Sequence, residues 1–181
     1  MAEEKPELYL VERNNGDKKK HKIIHPFDGR LIALDPKKLR AASQELASKL
    51  NLGGVEYIVG FAEGGVLSAY GIAEVANIPL VCSYRVRLKA PNEITFLEPH
   101  SERAAHFVYG LKEGSKIVII EDEITTGSTL LNAVREFSIN GILIKDIGTF
   151  VLNCESRENI LRVENLGYRV KYLYNHNDLR K

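Results

Sequence analysis

Glu121 and Asp122 close an apolar run and open onto a hydroxyl-rich turn, so that residues 117–130 read IVIIEDEITTGSTL. An ionised carboxylate only accepts hydrogen bonds, and each hydroxyl of a vicinal diol can donate one. Two adjacent acids therefore suit the 2- and 3-hydroxyls of a ribose. Thr125, Thr126, Ser128 and Thr129 add hydroxyls and successive backbone N–H groups around Gly127, which lets the backbone close on an anion. A helix starting near Ser128 turns its positive end to the same place. A diol beside a terminal phosphate spells a ribose 5-phosphate. No Lys follows Gly127, as a GxxxxGK(S/T) loop requires, and no GxGxxG follows a strand, so those phosphate motifs are excluded. The plainest alternative is a polar strand-to-helix turn that holds nothing.

Two other stretches carry candidate chemistry. Phe61-Ala62-Glu63-Gly64-Gly65 ends one strand-like run and starts a helical one; on its own it reads as a capping turn. Arg85 to His106, RVRLKAPNEITFLEPHSERAAH, is charge-rich and longer than an ordinary connection, as functional loops often are. The alternation in ITFL and HFVYGL predicts that parts of it pair as a hairpin on a mobile arm. Its cations are Arg85, Arg87, Lys89 and Arg103, and its candidate tip is Glu98-Pro99-His100-Ser101. Glu98, His100, Glu102 and His106 are an alternative metal cluster, although no spacing sets a ligand geometry. A solvated hairpin without a role is the third reading.

The elements that must position these residues follow from periodicity. Asp35 reads as an N-cap with Pro36 at the first helical position, Leu39, Leu46 and Leu50 facing inward, and Gly53-Gly54 as the stop. From Val55 onward, short apolar runs alternate with helical segments: VEYIVGF, Gly65 to Asn77, IPLVCSY, SKIVIIED, STLLNAVREFSING, LIKDIGTFVLN, SRENILRVENLG and YRVKYLYN. That rhythm predicts parallel strands with crossover helices, whose ligands sit beyond the carboxyl ends of the strands. Ahead of it, Leu8 to His25 reads as a hairpin around Asn14-Asn15-Gly16-Asp17, and PFDGR continues irregularly. The expected division is an N-terminal segment, 1–33, and an α/β core, 34–181, with the long loop at about 85–106.

Bulk properties narrow the setting. A net charge of +1 provides no field for nucleic acid or membrane, and Lys18-Lys19-Lys20 reads as a solvated turn. Cys82 and Cys154 form no CxxC and read as reduced thiols. The start MAEEKPE lacks the apolar core of a secretory signal, and no apolar run nears the ~20 residues that span a bilayer. A cytoplasmic domain is expected.

IVIIEDEITTGST resembles the signature of the type I phosphoribosyltransferases, which bind 5-phosphoribosyl 1-diphosphate (PRPP). The resemblance implies a central parallel sheet flanked by helices, with a small N-terminal hood and a long flexible loop. By position, Glu121 and Asp122 would hold the ribose hydroxyls, orient the sugar as positive charge develops on it, and meet Mg2+ indirectly through PRPP and water. Thr125, Thr126, Gly127, Ser128 and Thr129 would wrap the 5-phosphate. Phe61 to Gly65 resembles the family's diphosphate loop, so Ala62, Glu63, Gly64 and Gly65 would meet the diphosphate, with a non-proline cis peptide at Ala62–Glu63. Glu63 departs from the Lys or Arg of many relatives.

The arm corresponds to the family's closing loop. Arg85, Arg87, Lys89 and Arg103 are its cations for the leaving group, and Glu98 is the carboxylate that helps deprotonate the base. The hairpin, PFDGR and the tail YNHNDLRK would form the hood, with Phe27 either stacking on the base or packing in the core. Hypoxanthine and guanine relatives usually carry Asp where this chain has Thr125, which favours a purine or purine-like base of the adenine type, with orotate next. A homodimer is implied. The competing function is a PRPP sensor without transferase activity.

Overall fold

The computed structural model describes residues 8–12, 21–99, 105–153, 158–175 and 178. The turn at Asn14–Asp17, Lys18–Lys20, His100–Arg103, Cys154 and most of the tail beyond Asn175 lie outside those residues.

The hood begins with an antiparallel pair, β1 (Tyr9–Glu12) and β2 (His21–Ile24), followed by turns through PFDGR and then α1 (Pro36–Lys49). Asp35 caps α1 by accepting the Lys37 N–H at 2.9 Å, and Leu39 and Leu46 are buried as periodicity predicts; the helix stops at Lys49, short of the glycine pair. The core continues as β3 (Tyr57–Gly60), α2 (Gly65–Ala76), β4 (Leu80–Cys82), the arm strands β5 (Ile94–Leu97) and β6 (Ala105–Val108), β7 (Lys116–Ile124), α3 (Ser128–Ile139), β8 (Leu143–Leu152), α4 (Glu158–Asn165) and β9 (Val170–Asn175).

Five strands form one parallel sheet in the order β4-β3-β7-β8-β9. From β3 the chain steps outward to β4, and from β7 it steps the other way to β8 and β9. The winding therefore reverses between β3 and β7, where two loops leave neighbouring strands in opposite directions and open a crevice. Gly60, the last residue of β3, pairs with Ile120, so Phe61–Gly65 leaves the sheet beside Glu121-Asp122, the next residues of β7.

Alternation along β7 sends its apolar side chains to two faces. Val118 and Ile120 join Ile58, Phe150, the α1 residues Leu39 and Leu46, and Ala69 and Ile72 of α2. Ile117 and Ile119 join Val59, Ile147, Leu130 and Phe137 of α3, and Val163 of α4. Leu8, Ile23 and Phe27 place the hood on the first face; Ile94, Phe96 and Val108 place the arm on the second. The sheet thus carries hood and arm on opposite sides of the crevice.

The structure decides between the two readings of Phe27, bears out the hairpin of the arm and moves the end of β7. Phe27 is 2% exposed, edge-on to Phe150 at 4.8 Å and stacked on Tyr174 at 5.9 Å, so it is core and offers no face to a base. β7 runs on through Ile124 because β8 is long enough to pair with it: Glu121 opposes Thr149, Glu123 opposes Val151 and Ile124 opposes Leu152. The acids are therefore held by sheet hydrogen bonds rather than by a loop. The described part of the arm is a paired hairpin, Ile94 opposite Val108 and Phe96 opposite His106, because its inward residues bury against α3. Among the described residues, no helix is long and apolar enough to cross a membrane.

Candidate active site

The two loops that sequence singles out are in contact. A Cβ built on Gly64 would lie 2.1 Å from Asp122 Oδ2, and one on Gly65 would lie 2.8 Å from Glu121 Oε2 and 3.3 Å from the Ile120 carbonyl oxygen. Only glycine backbone lets the paired acids of β7 sit this close to the loop after β3. Gly65 is also the first residue of α2, so the carboxylates lie at a helix amino end, whose partial positive charge favours them as anions. The Ala62–Glu63 peptide is cis, at the bond the resemblance marked.

Gly127, at φ 73°, turns the chain into α3, and its carbonyl accepts the Leu131 N–H at 2.9 Å. Thr126 Oγ1 accepts the Ser128 N–H and donates to Ser128 Oγ, both at 3.3 Å. Thr125, Thr126, Ser128 and Thr129 are partly exposed. Their turn follows β7 as the glycine loop follows β3, so two helix amino ends lie at the carboxyl edge of adjacent strands. Each suits an anion.

Glu63 takes a course of its own. Its side chain is 70% exposed and Oε2 lies 3.6 Å from Arg30 Nη2 of the hood. The carboxylate that would repel a diphosphate is thus matched by a cation from PFDGR.

His25, which sequence reading passed over, is 2% exposed and lies under the acids: Nε2 is 3.6 Å from Asp122 Oδ2 and 4.0 Å from Glu123 Oε2. The signal was present in the period of β2, which puts His25 on the same inward side as Ile23, 1% exposed. Its Nδ1 accepts the Phe27 N–H at 3.2 Å, so the neutral ring carries its proton on Nε2, and among the described residues that N–H has no partner within hydrogen-bond distance. Ligating atoms of His25, Asp28 and Asp122 lie within 4.8 Å of one another. With the proton on Nε2, however, the ring offers Asp122 a donor, not a metal a lone pair.

Burial lowers the His25 pKa, but the nearby Asp122 carboxylate, with Glu123 and Asp28, outweighs it, and the net shift is upward. The charged ring gains those carboxylates and gives up the Phe27 bond. A raised folded pKa adds stability below the ordinary value near 6.5, and that contribution is lost as pH rises through the raised value. Denaturant titrations across that range should show the wild-type protein losing stability as pH rises, and His25→Asn flattening this limb. An identical slope in both proteins would show that His25 does not titrate there.

The arm residues are held differently. Arg85 Nη1 and Glu98 Oε2 pair at 2.6 Å with side chains 9% and 21% exposed, and both meet His106 Nε2, at 2.6 and 3.2 Å. Arg87 binds Glu93 through Nε at 2.8 and 3.1 Å; that hydrogen bond holds the Glu93 carboxyl below its usual range. Lys89 is exposed, with φ 52°. The structure therefore gathers Glu121, Asp122, Gly64 and Gly65, while Arg85, Arg87 and Glu98 are engaged within the arm. Arg103 and the His100-Ser101 tip, with the rest of the alternative metal cluster, lie outside the described residues.

Residues 8–169 match the model of a family described as phosphoribosyl transferase. Among curated proteins, the chain is 27% identical over 156 residues to a hypoxanthine/guanine phosphoribosyltransferase of Methanocaldococcus vulcanius, covering 86% of this chain and 84% of that one. It is 26% identical over 152 residues to a protein of the same name from Ferroglobus placidus, covering 83% and 79%. Among solved structures it resembles an adenine phosphoribosyl transferase of Trypanosoma brucei in complex with AMP, pyrophosphate and ribose 5-phosphate (TM-score 0.76, 17% identity, 97% of this chain and 78% of that one). An adenine phosphoribosyltransferase of Thermoanaerobacter pseudethanolicus is similar (TM-score 0.69, 15% identity, 93% and 95%). At such identities the structures speak to the fold alone.

Proposed function

This chain belongs to the phosphoribosyl transferase family, and from that premise we propose that it transfers the 5-phosphoribosyl group of PRPP to a purine base, releasing diphosphate. The observation that carries the reading is the contact of Asp122 and Glu121 with Gly64 and Gly65. It sets the two carboxylates we assign to the diol directly against a glycine loop at a helix amino end, so that the groups for the sugar and for its diphosphate are adjacent. Glu121 and Asp122 accept from the 2- and 3-hydroxyls, residues Thr125–Thr129 wrap the 5-phosphate, and Ala62–Gly65 face the diphosphate.

In the reaction the anomeric C–O bond breaks and its electron pair leaves with diphosphate. A ring nitrogen of the base forms the new C–N bond and loses its proton. The positive charge that develops on the sugar lies beside Glu121 and Asp122, whose anionic form the α2 amino end supports, so these acids favour the transition state over the bound substrate. Glu98 would take the base proton only after leaving Arg85, since an ion-paired carboxylate is a weaker acceptor. Arg85 and Arg87 would reach the diphosphate only by exchanging their present partners; Lys89 has no such partner among the described residues and is the arm cation we assign to the leaving group.

Hard oxygen donors held against the glycine loop suit Mg2+, which keeps its waters and binds through one or two carboxylates plus phosphates. Glu121 and Asp122 would hold it through water and PRPP, and the ion supplies neutralisation of the diphosphate charge. A purine is supported by the sequence relatives, which are named hypoxanthine/guanine phosphoribosyltransferases, whereas Thr125, in place of an Asp, favours a base of the adenine type. A homodimer fits the exposed Val86, Leu88 and Leu97 of the arm and Tyr84 at its root.

The test is to mix PRPP and Mg2+ with adenine, hypoxanthine, guanine and orotate in turn, measuring diphosphate and nucleotide. A purine nucleoside 5′-monophosphate is expected. Turnover with orotate alone would overturn the purine assignment; tight PRPP binding with no diphosphate from any base would favour a sensor.

A further inference from the structure

Ser83 and His106 belong to neither loop of the active site, yet a continuous hydrogen-bonded chain runs through them from the glycine loop to the arm. The Ala62 N–H donates to Ser83 Oγ at 2.9 Å, and Ser83 Oγ lies 2.8 Å from His106 Nδ1. His106 Nε2 meets Arg85 Nη1 at 2.6 Å and Glu98 Oε2 at 3.2 Å, and the Arg85–Glu98 ion pair closes the far end. Ser83 is 3% exposed and His106 2%, so these atoms satisfy one another in place of water. Losing the Ser83 hydroxyl takes from the Ala62 N–H and from the buried His106 Nδ1 a partner that each now has.

The chain ties together segments far apart in sequence. Ser83 follows β4, and its N–H donates to the Gly60 carbonyl at 2.9 Å. His106, in β6, is stacked on Phe96 of β5 at 4.9 Å and lies 5.7 Å from Phe61. Tyr84 and Phe107 bridge the end of β4 to β6 by paired backbone bonds of 2.7 and 2.9 Å. Phe61 itself packs on Phe96 at 4.7 Å. The first two residues of the glycine loop are thus gripped twice, Phe61 by its ring and Ala62 by its N–H, and both grips belong to the arm and its root.

We propose that Ser83 and His106 are positioning residues for diphosphate: through the Ala62 N–H they set the glycine loop where the arm hairpin dictates, so that loop and arm move as one body. The proposal rests on the reading of Ala62–Gly65 as the diphosphate loop. Either tautomer of a neutral ring completes the chain. The Ser83 hydroxyl can donate to Nδ1 while Nε2–H donates to Glu98, or Nδ1–H can donate to Ser83 Oγ while Nε2 accepts from Arg85. A second proton would set two cations against each other at Arg85. Burial first, then the Arg85 charge, keep the ring pKa below its usual value against the pull of Glu98.

Calorimetric titration of the full chain with PRPP, inorganic diphosphate and ribose 5-phosphate separates positioning from general damage. Ser83→Ala and His106→Leu should bind PRPP and diphosphate about tenfold more weakly, the worth of a buried hydrogen bond lost, and ribose 5-phosphate as the wild type does. His106→Asn, whose amide can reach Ser83, should recover part of the loss. Unchanged diphosphate binding in both Ser83→Ala and His106→Leu would overturn the proposal, as would an equal loss for ribose 5-phosphate. A wild-type chain that binds ribose 5-phosphate but no diphosphate would remove the loop assignment itself, and with it this proposal.

Discussion

Gly64→Ala should lower kcat/KM for PRPP by about 30- to 150-fold, the effect of losing about 2–3 kcal/mol of charge-assisted hydrogen bonding. The backbone does not forbid alanine: Gly64 sits at φ −64°, ψ −46°, an ordinary helical conformation. What forbids it is Asp122. The new methyl carbon would lie 2.1 Å from Oδ2, 2.7 Å from Cγ and 2.8 Å from Oδ1, so the whole carboxylate has to move. It has little room, with 7% of the residue exposed and His25 Nε2 3.6 Å away on another side. A displaced acid no longer meets the ribose diol where the 5-phosphate and diphosphate place it. Overpacking of this kind costs about 1–3 kcal/mol of stability, so kinetics and denaturation should be measured together. If the clash acts through Asp122, adding Asp122→Ala to Gly64→Ala should cost little more, a non-additivity that a double-mutant cycle reads directly. Wild-type kinetics in Gly64→Ala would place the diol elsewhere.

Asp122→Asn should reduce transfer by about 100-fold or more, because it removes a full negative charge where positive charge develops and turns one acceptor into a donor. The amide has nearly the shape of the carboxylate, so packing survives while electrostatics do not. PRPP affinity and turnover should both fall, since the diol is held in the ground state and the sugar cation is stabilised in the transition state. A second readout separates this from misfolding. Asp122 is the foremost group raising the His25 pKa against burial, so Asp122→Asn should also flatten the stability limb that His25 contributes above pH 6.5. Unchanged turnover with that limb flattened would show a buried ion pair with no part in catalysis.

The legible parts of the molecule are those whose partners are near in sequence. The paired acids, the hydroxyl turn and the start of α3 are nearly consecutive, and Gly127 shows its positive φ through its chemistry. Asp35 and Pro36 announce α1 because a cap and its helix are neighbours. The alternation of ITFL and HFVYGL was enough to predict β5 against β6, since apolar period 2 demands a buried face. The end of β7 is not legible for the converse reason: the run of acids breaks the apolar pattern, while the backbone stays paired because β8, not β7, supplies the missing partners.

Residue types and their local spacing alone determined a parallel α/β core and the placing of paired acids before a hydroxyl turn toward the end of a strand, since cap, turn and period are short-range properties. Only the tertiary structure decided that β3 and β7 are neighbours, which brings Gly64 onto Asp122, and that His25 lies beneath the acids. It alone turned Glu63 toward Arg30 and committed Arg85 and Glu98 to His106. Each of those contacts joins segments whose separation along the chain is set by the winding of the sheet, and no local pattern encodes which strand lies beside which.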